Sequence, residues 1–305
     1  MASILDFVRR KPAPAARPAA VAAFVEDFSI EVMPKTAAKI ADFRGILPEG
    51  TRICLAHIDG TPMEEMLATA RRLIDEGFAV MPHFAARGIA TRDELAGRIA
   101  AYSDVGVRQA LVLAGGIDTP RGGFHEAMQL LETGLFDQAG FTHLHVAGHP
   151  EGNRDIDPAG GEANVMAALA RKDAFQRETD ASMAIVTQFA FEAAPIIAWT
   201  KRMRAAGLTL PVHIGIAGPA KLQTMLRYAM ACGVGPSLRV LQRRAADLTK
   251  LMLPFEPTEL LAELAAHKAA NPGFPVERVH FFPLGGIGAT TDYLGGVAAP
   301  ARRRA

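Results

Sequence analysis

Short segments rich in β-branched residues alternate with longer amphipathic segments along almost the whole chain, and this alternation constrains the fold more than any other feature. Helix-like segments separate eight stretches that have the composition of buried strands. The predicted strands are 28–34, 52–58, 79–85, 109–115, 143–149, 183–191, 211–218 and 279–285. Strands that alternate with helices form a parallel sheet, because each crossover returns the chain through a helix.

Helix boundary signals support this alternation. The stretch Thr61-Pro62-Met63-Glu64 has the pattern of a capping box, and Gly77 follows the last predicted turn of that helix. Thr91 and Glu94 repeat the pattern before the next helix. Eight β/α units in a chain of 305 residues favour a closed (β/α)8 barrel, the TIM barrel, over an open doubly wound sheet.

The chain is predicted to form one domain, because no linker rich in Pro, Gly or Ser divides it. Residues 1–16 are expected to be a flexible arm rich in Ala, Pro and Arg. Residues 17–295, with a first helix, are expected to form the barrel. Residues 296–305 are expected to be a disordered basic tail.

Composition narrows the function classes. Half of the residues are hydrophobic, 21% are charged and the net charge is +1, which gives no electrostatic reason to expect nucleic acid or acidic lipid as a partner. No apolar run has the length of a membrane span. Cys54 and Cys232 lie far apart and suggest neither a disulfide framework nor a metal site, so we expect a cytoplasmic protein. A homo-oligomer is left open.

Polar residues collect at the predicted carboxyl ends of the strands, where barrel enzymes carry their chemistry. Each of these residues taken alone fits a structural role, but their convergence on one end of the barrel predicts a functional site. Glu31 is the most informative, because a buried carboxylate is costly unless a partner or a reaction requires it. Read in order, the strand ends carry Glu31, His57, His83, Gly115, Gly116, His149, Glu151, Gln188, Gly215 and, on the last strand, Phe282.

Common motifs leave one alternative open. The chain has no phosphate-binding GxxxxGK[ST] loop, no GxGxxG after a strand, and no HExxH, GxSxG or CxxC. His143 and His145 lie on one face of a predicted strand, as in metal-dependent barrel hydrolases, although two packed histidines have the same pattern. We otherwise predict no metal site.

Six stretches, in order, give a specific resemblance. FSIEVMPK (28–35) is similar to the opening strand of the methylenetetrahydrofolate reductase family. The further matches are MPHFAARG (81–88), LVLAGGID (111–118), VAGHPEGN (146–153), TQFAFE (187–192) and VHFFPLG (279–285). The resemblance implies a (β/α)8 barrel that contains FAD. It also implies reduction of 5,10-methylenetetrahydrofolate, the reduced-folate substrate, to 5-methyltetrahydrofolate with NAD(P)H as electron donor.

The resemblance also implies roles for single residues. Glu31 matches the general acid that protonates N10 of the folate, and we expect burial to raise its pKa so that it holds a proton near neutrality. Gln188 matches the glutamine that hydrogen-bonds the pterin. The positions that match cofactor contacts are His57, His83, Gly115, Gly116, Ala147, His149, Asp173 and Arg177.

The chain departs from the family at the end of the fourth strand. Ala114-Gly115-Gly116 stands where the family has Arg-Gly-Asp, so a cation and a carboxylate beside the flavin are missing. We therefore expect FAD to bind more weakly than is usual. A non-catalytic relative that binds flavin or folate is a further hypothesis.

Overall fold

The computed structural model describes residues 18–231 and 254–302. Eight parallel strands follow one another around a closed barrel, and β1 pairs with both β2 and β8. The strands are β1 (Ser29–Val32), β2 (Arg52–Leu55), β3 (Ala79–Ala85), β4 (Gln109–Leu113), β5 (His143–Gly148), β6 (Ser182–Ala190), β7 (Val212–Ala217) and β8 (Val276–Phe282). The predicted (β/α)8 barrel is confirmed, and each predicted strand overlaps an observed one.

Helices connect the strands around the outside of the barrel. They are α1 (Pro18–Phe24), α2 (Pro34–Ala37), α3 (Met63–Asp75), α4 (Arg92–Asp104), α5 (Ala127–Leu131), α6 (Leu135–Gln138), α7 (Ala163–Phe175), α8 (Ala193–Ala205), α9 (Leu222–Ala231), α10 (Thr258–Ala270) and α11 (Ile287–Arg302). None of the helices in the described ranges is long and apolar enough to cross a membrane.

Of the two predicted capping boxes, the one at Thr91 forms in part, because the carboxylate of Glu94 accepts the backbone N–H of Ala90 at 2.8 Å and not that of Thr91. The hydroxyl of Thr91 accepts a hydrogen bond from the backbone N–H of Glu94 at 3.1 Å and caps α4. The prediction for Thr61 was wrong, because α3 begins at Met63 and Pro62 occupies its N-cap position without a side-chain hydrogen bond. The helix begins one residue later than the pattern requires.

The last helix extends into the predicted C-terminal tail. The predicted arm at 1–16 and Cys232 lie outside the described residues. Helix α11 continues to Arg302 and so includes most of the segment predicted to be disordered. Alanine-rich sequence favours the helix, and Val297 packs against the main core.

Side chains inside the barrel form three levels. Glu31 and His83 lie at the carboxyl end, in a cavity described below. Beneath them an apolar cluster fills the barrel: Cys54, Met81, Leu111 and Val186. The amino-terminal half holds the buried rings of His145 and His213, whose centroids are 4.7 Å apart. Leu111 and Val186 of the apolar cluster also line the cavity, so this cluster forms its floor.

Candidate active site

A cavity of about 420 Å³ opens among the carboxyl ends of the strands, and we call it the Glu31 cavity. Its walls are mostly apolar with a few polar groups, which is typical of sites for small organic ligands. Six of the predicted site residues line it: Glu31, His83, Gly116, Ala147, His149 and Gln188. Apolar and aromatic side chains that line it include Met33, Leu111, Leu113, Val186, Phe189, Tyr228, Phe282 and Leu284.

Glu31 lies between two imidazoles. Its Oε2 is 3.6 Å from Nε2 of His83 on β3 and 3.9 Å from Nε2 of His280 on β8. The Glu31 side chain is 23% exposed, whereas that of His280 is completely buried. The Nδ1 atom of His280 is 2.9 Å from the hydroxyl of Ser29, two residues before Glu31 on the same strand.

This arrangement corrects the expected charge of Glu31. Burial by itself acts to raise the pKa of Glu31, but His280 and then His83 outweigh it, so the pKa is lowered from its ordinary value. Burial acts to lower the pKa of His280, yet Cys54 and Glu31 together raise it to about 9. The prediction of a carboxylic acid held neutral by apolar surroundings was therefore wrong, because the sequence did not reveal the imidazole partner.

Gln188 lies where the sheet is irregular. The register of β6 against β7 shifts between Val186 and Phe189, and such a bulge redirects the side chain that it contains. The Gln188 Oε1 accepts the backbone N–H of Phe189 at 3.0 Å. The hydroxyl of Thr187 accepts the N–H of Gly215 at 2.8 Å and donates to the carbonyl of Gln188 at 2.9 Å. These bonds hold the bulge in place.

His149 contributes a neutral imidazole to the cavity. Burial, followed by the nearby ammonium of Lys172, lowers the pKa of His149 to about 4. Lys172 is itself buried on α7 and donates to the carbonyl of Ala147 at 2.9 Å. Burial lowers the pKa of Lys172 to about 8. At neutral pH the imidazole of His149 can therefore donate or accept a hydrogen bond without carrying charge.

Aromatic rings form one wall of the Glu31 cavity. Phe189 and Phe282 pack edge to face with centroids 5.4 Å apart, and Tyr228 on α9 lines the same cavity. Phe189 belongs to an apolar cluster that continues to Phe191 and Phe255. A planar ring system would find apolar faces to stack on at this wall.

Two of the predicted cofactor contacts lie beside the cavity without lining it. His57 comes two residues after β2 ends, so the alternation of that strand no longer directs its side chain inward. Gly115 turns the chain after β4 with a φ of 95°, and an added Cβ would lie 3.0 Å from Cβ of Ala85. Gly115 is therefore needed for the conformation of the turn and not as a lining residue of the cavity.

Asp173 and Arg177 are at the opposite end of the barrel, so their assignment as FAD ligands is corrected. Asp173 is buried near the end of α7, and its Oδ1 accepts the backbone N–H groups of Thr209 and Leu210 at 2.6 and 2.8 Å. Those residues precede β7 and belong to the amino-terminal side. Arg177 is exposed beyond the end of α7.

The described lining of the cavity supplies no cation to a diphosphate, whether that of FAD or that of NAD(P)H. Neither Lys nor Arg occurs among the lining residues within 18–231 and 254–302. The loops after the strands do carry Arg87 and Arg121, but their guanidiniums bind Asp155 at 2.7 Å and Asp59 at 2.6 Å. A diphosphate would have to displace these carboxylates.

The metal alternative also lacks a site in the described part of the chain. No group of three His, Cys, Asp or Glu side chains there is placed to hold a metal ion. His143 lies at the first position of β5, and His145 packs against His213 inside the amino-terminal half. Burial first, and then the positive field of His213 and Arg52, lowers the pKa of His145.

Comparison with known proteins supports the fold. No protein-family model matches the chain. The structure is similar to an uncharacterized protein from Clostridium thermocellum that binds two copies of 5-methyl-5,6,7,8-tetrahydrofolic acid. The TM-score is 0.58 with 9% sequence identity over 92% of this chain and 98% of that chain. Dihydropteroate synthase from Thermus thermophilus gives a TM-score of 0.43 with 14% identity over 89% and 92%. At 9% identity the first similarity shows a shared (β/α)8 fold.

Proposed function

We propose that this protein binds a reduced folate in the Glu31 cavity and reduces its 5,10-methylene group to a 5-methyl group, with NAD(P)H as electron donor. The observation that carries the proposal is that Glu31 and Gln188, matched independently by two family motifs, line one mostly apolar cavity. The Clostridium thermocellum protein of similar fold binds a 5-methyl folate, which agrees with this ligand class.

The cavity offers complementary groups to a pterin. A planar pterin would stack against the wall of Phe189 and Phe282. Among the described residues, Gln188 uses only its Oε1, and its amide nitrogen is left to bind the edge of the ligand. The uncharged imidazole of His149 provides a further hydrogen bond. Glu31 lies deeper, at the junction of β1 and β8.

The proposed reaction begins with a proton. Protonation of N10 breaks its bond to the methylene carbon and leaves an iminium at N5. A hydride supplied by NAD(P)H then adds to this carbon, which gives the N5-methyl product and NAD(P)⁺. The diphosphate of NAD(P)H would lie outside the described lining, because that lining has no cation. Glu31 delivers the proton, and the apolar walls exclude water that would trap the iminium.

Turnover and binding are tested separately. The formation of 5-methyltetrahydrofolate from 5,10-methylenetetrahydrofolate and NAD(P)H would be followed by mass spectrometry, with and without added FAD. Glu31→Gln should lower the rate about 10²- to 10⁴-fold with little change in the affinity for 5-methyltetrahydrofolate measured by calorimetry. Glu64→Gln, an exposed position on α3, is the matched control. Equal rates for both variants would contradict the proposed role of Glu31.

A second function is favoured by one observation. Gly116 lines the cavity where the family has a carboxylate, and the described lining has no cation. A folate-binding protein without turnover would have this composition. Tight binding of 5-methyltetrahydrofolate with no product formation, with or without FAD, would establish that function instead.

A further inference from the structure

His280 is a buried histidine whose surroundings are unusual. It is 0% exposed, and the Glu31 cavity does not include it. Its Nδ1 is tied to the hydroxyl of Ser29 at 2.9 Å. Its Nε2 is buried, has no hydrogen-bond partner among the described residues, and lies 3.9 Å from Oε2 of Glu31.

Several titratable groups face this imidazole. Glu31 approaches from β1, Cys54 from β2, His83 from β3 and His213 from β7. Burial lowers the pKa of His83, with a smaller opposing effect from Glu31, and burial lowers the pKa of His213 to about 2. The pKa of His280 is raised instead, to about 9, while that of Glu31 is lowered. Against the effect of burial, Cys54 contributes first to the raised pKa of His280 and Glu31 second, so the imidazole beside Glu31 holds a proton.

We infer that His280 is a positioning residue that holds the proton which Glu31 passes to the substrate. This inference rests on the proposed function. Glu31 gives a proton to N10 of the folate and takes one from Nε2 of His280, so the carboxylate stays ionised before and after the step. His280 becomes neutral and regains its proton from water after product leaves. The 3.9 Å separation must shorten when substrate binds, as is common for catalytic pairs.

Ser29 completes the arrangement. Its hydroxyl fixes the ring of His280 through Nδ1, so the other nitrogen is directed at the carboxylate. Ser29 and Glu31 are two residues apart on β1, so their side chains lie on the same face of the strand. Ser29 is paired with His280 in the register of β1 against β8, so the hydroxyl and the imidazole lie side by side on neighbouring strands.

The location of the proton can be measured without any folate. ¹⁵N NMR of the nine histidines, with His280 assigned by the spectrum of His280→Asn, should show an imidazolium at pH 7 that titrates only near pH 9. In Glu31→Gln the midpoint should fall by about one to three pH units, because the opposite charge is removed. A neutral His280 ring at pH 7, or an unchanged midpoint in Glu31→Gln, would overturn the inference.

Whether His280 supplies the proton that Glu31 delivers has to be tested by measuring turnover. Glutamine retains a polar group near the Nε2 position but carries no proton. Wild-type activity should fall above about pH 9, where His280 loses its proton. His280→Gln should lower the rate about 10²- to 10⁴-fold and remove that fall, with affinity for 5-methyltetrahydrofolate within threefold. His143→Gln, at the other end of the barrel, controls for general damage.

The NMR titration and the turnover assay distinguish failure of the inference about His280 from failure of the proposed function. If the activity of His280→Gln still fell above pH 9, the group that titrates would not be His280, and its role in supplying the proton to Glu31 would be overturned. Wild-type protein without turnover would overturn the proposed function and this role with it. The NMR titration of the wild type would still decide where the proton is held.

Discussion

Gly215 is the position where a single added methyl group should disturb the candidate site most. A Cβ at this residue would lie 2.4 Å from the carbonyl oxygen of Thr187 and 2.8 Å from the carbonyl carbon and oxygen of Gln188. Atoms in contact are normally about 3.5–4 Å apart. In Gly215→Ala, β6 and β7 would therefore have to separate by about 1 Å at the bulge that carries Gln188.

The cost can be given in two measurable quantities. Overpacking of this kind usually destabilises a protein by about 1–3 kcal/mol, which corresponds to a lower melting temperature by about 2–4 °C per kcal/mol. Displacement of Gln188 removes a hydrogen bond to the ligand worth about 0.5–1.5 kcal/mol. The affinity for 5-methyltetrahydrofolate should then fall up to about tenfold.

Calorimetry of unfolding and of ligand binding checks both expectations. Gly273→Ala is a matched control, because an added Cβ there meets nothing within 4 Å. If Gly215→Ala had the melting temperature and ligand affinity of this control, the close packing at the bulge would not constrain the site. A lower melting temperature with unchanged affinity would show that Gln188 does not bind the ligand.

Three further predictions concern other parts of the structure. Thr187→Val should leave the N–H of Gly215 unpaired and destabilise the protein by about 1–3 kcal/mol, measured by urea unfolding. Asp173→Ala should cost a similar amount and leave ligand affinity unchanged, since Asp173 binds backbone N–H groups at the far end. His213 and His149, with pKa values lowered to about 2 and about 4, stay neutral when folded, whereas the unfolded chain binds protons below about pH 6.5. Stability should therefore fall from pH 6.5 to pH 5, by about 1.5 kcal/mol per histidine, and less in His213→Gln.

The fold was predictable because its signals are local. Each strand is a short run of β-branched and apolar residues, and each is followed by a helix with recognisable boundaries, as at Thr91. The end of β8 was placed three residues too far, since Pro283 and Leu284 continue the apolar run after the pairing stops at Phe282. Local composition does not reveal where hydrogen bonding between strands ends.

The errors at Asp173 and Arg177 have a topological cause. A helix that follows a strand in a barrel runs back toward the amino end of that strand. Helix α7 has 13 residues, which corresponds to about 20 Å of length, so residues near its end lie far from the carboxyl rim. Motif matching used only the positions of both residues in the chain and took no account of the direction of the helix.

The partner of Glu31 was harder to find, because it lies on the last strand while Glu31 lies on the first. Ser29, on the same strand as Glu31, is 251 positions from His280. One signal was present: Phe282 had been placed at the carboxyl end of the last strand, and residues two apart share a face. His280 therefore had to point into the barrel. Closure of the sheet between β1 and β8 then brings it to Glu31. A carboxylate in an apolar strand can thus be explained by a strand at the other end of the sequence, and its charge follows from that partner more than from its own neighbours.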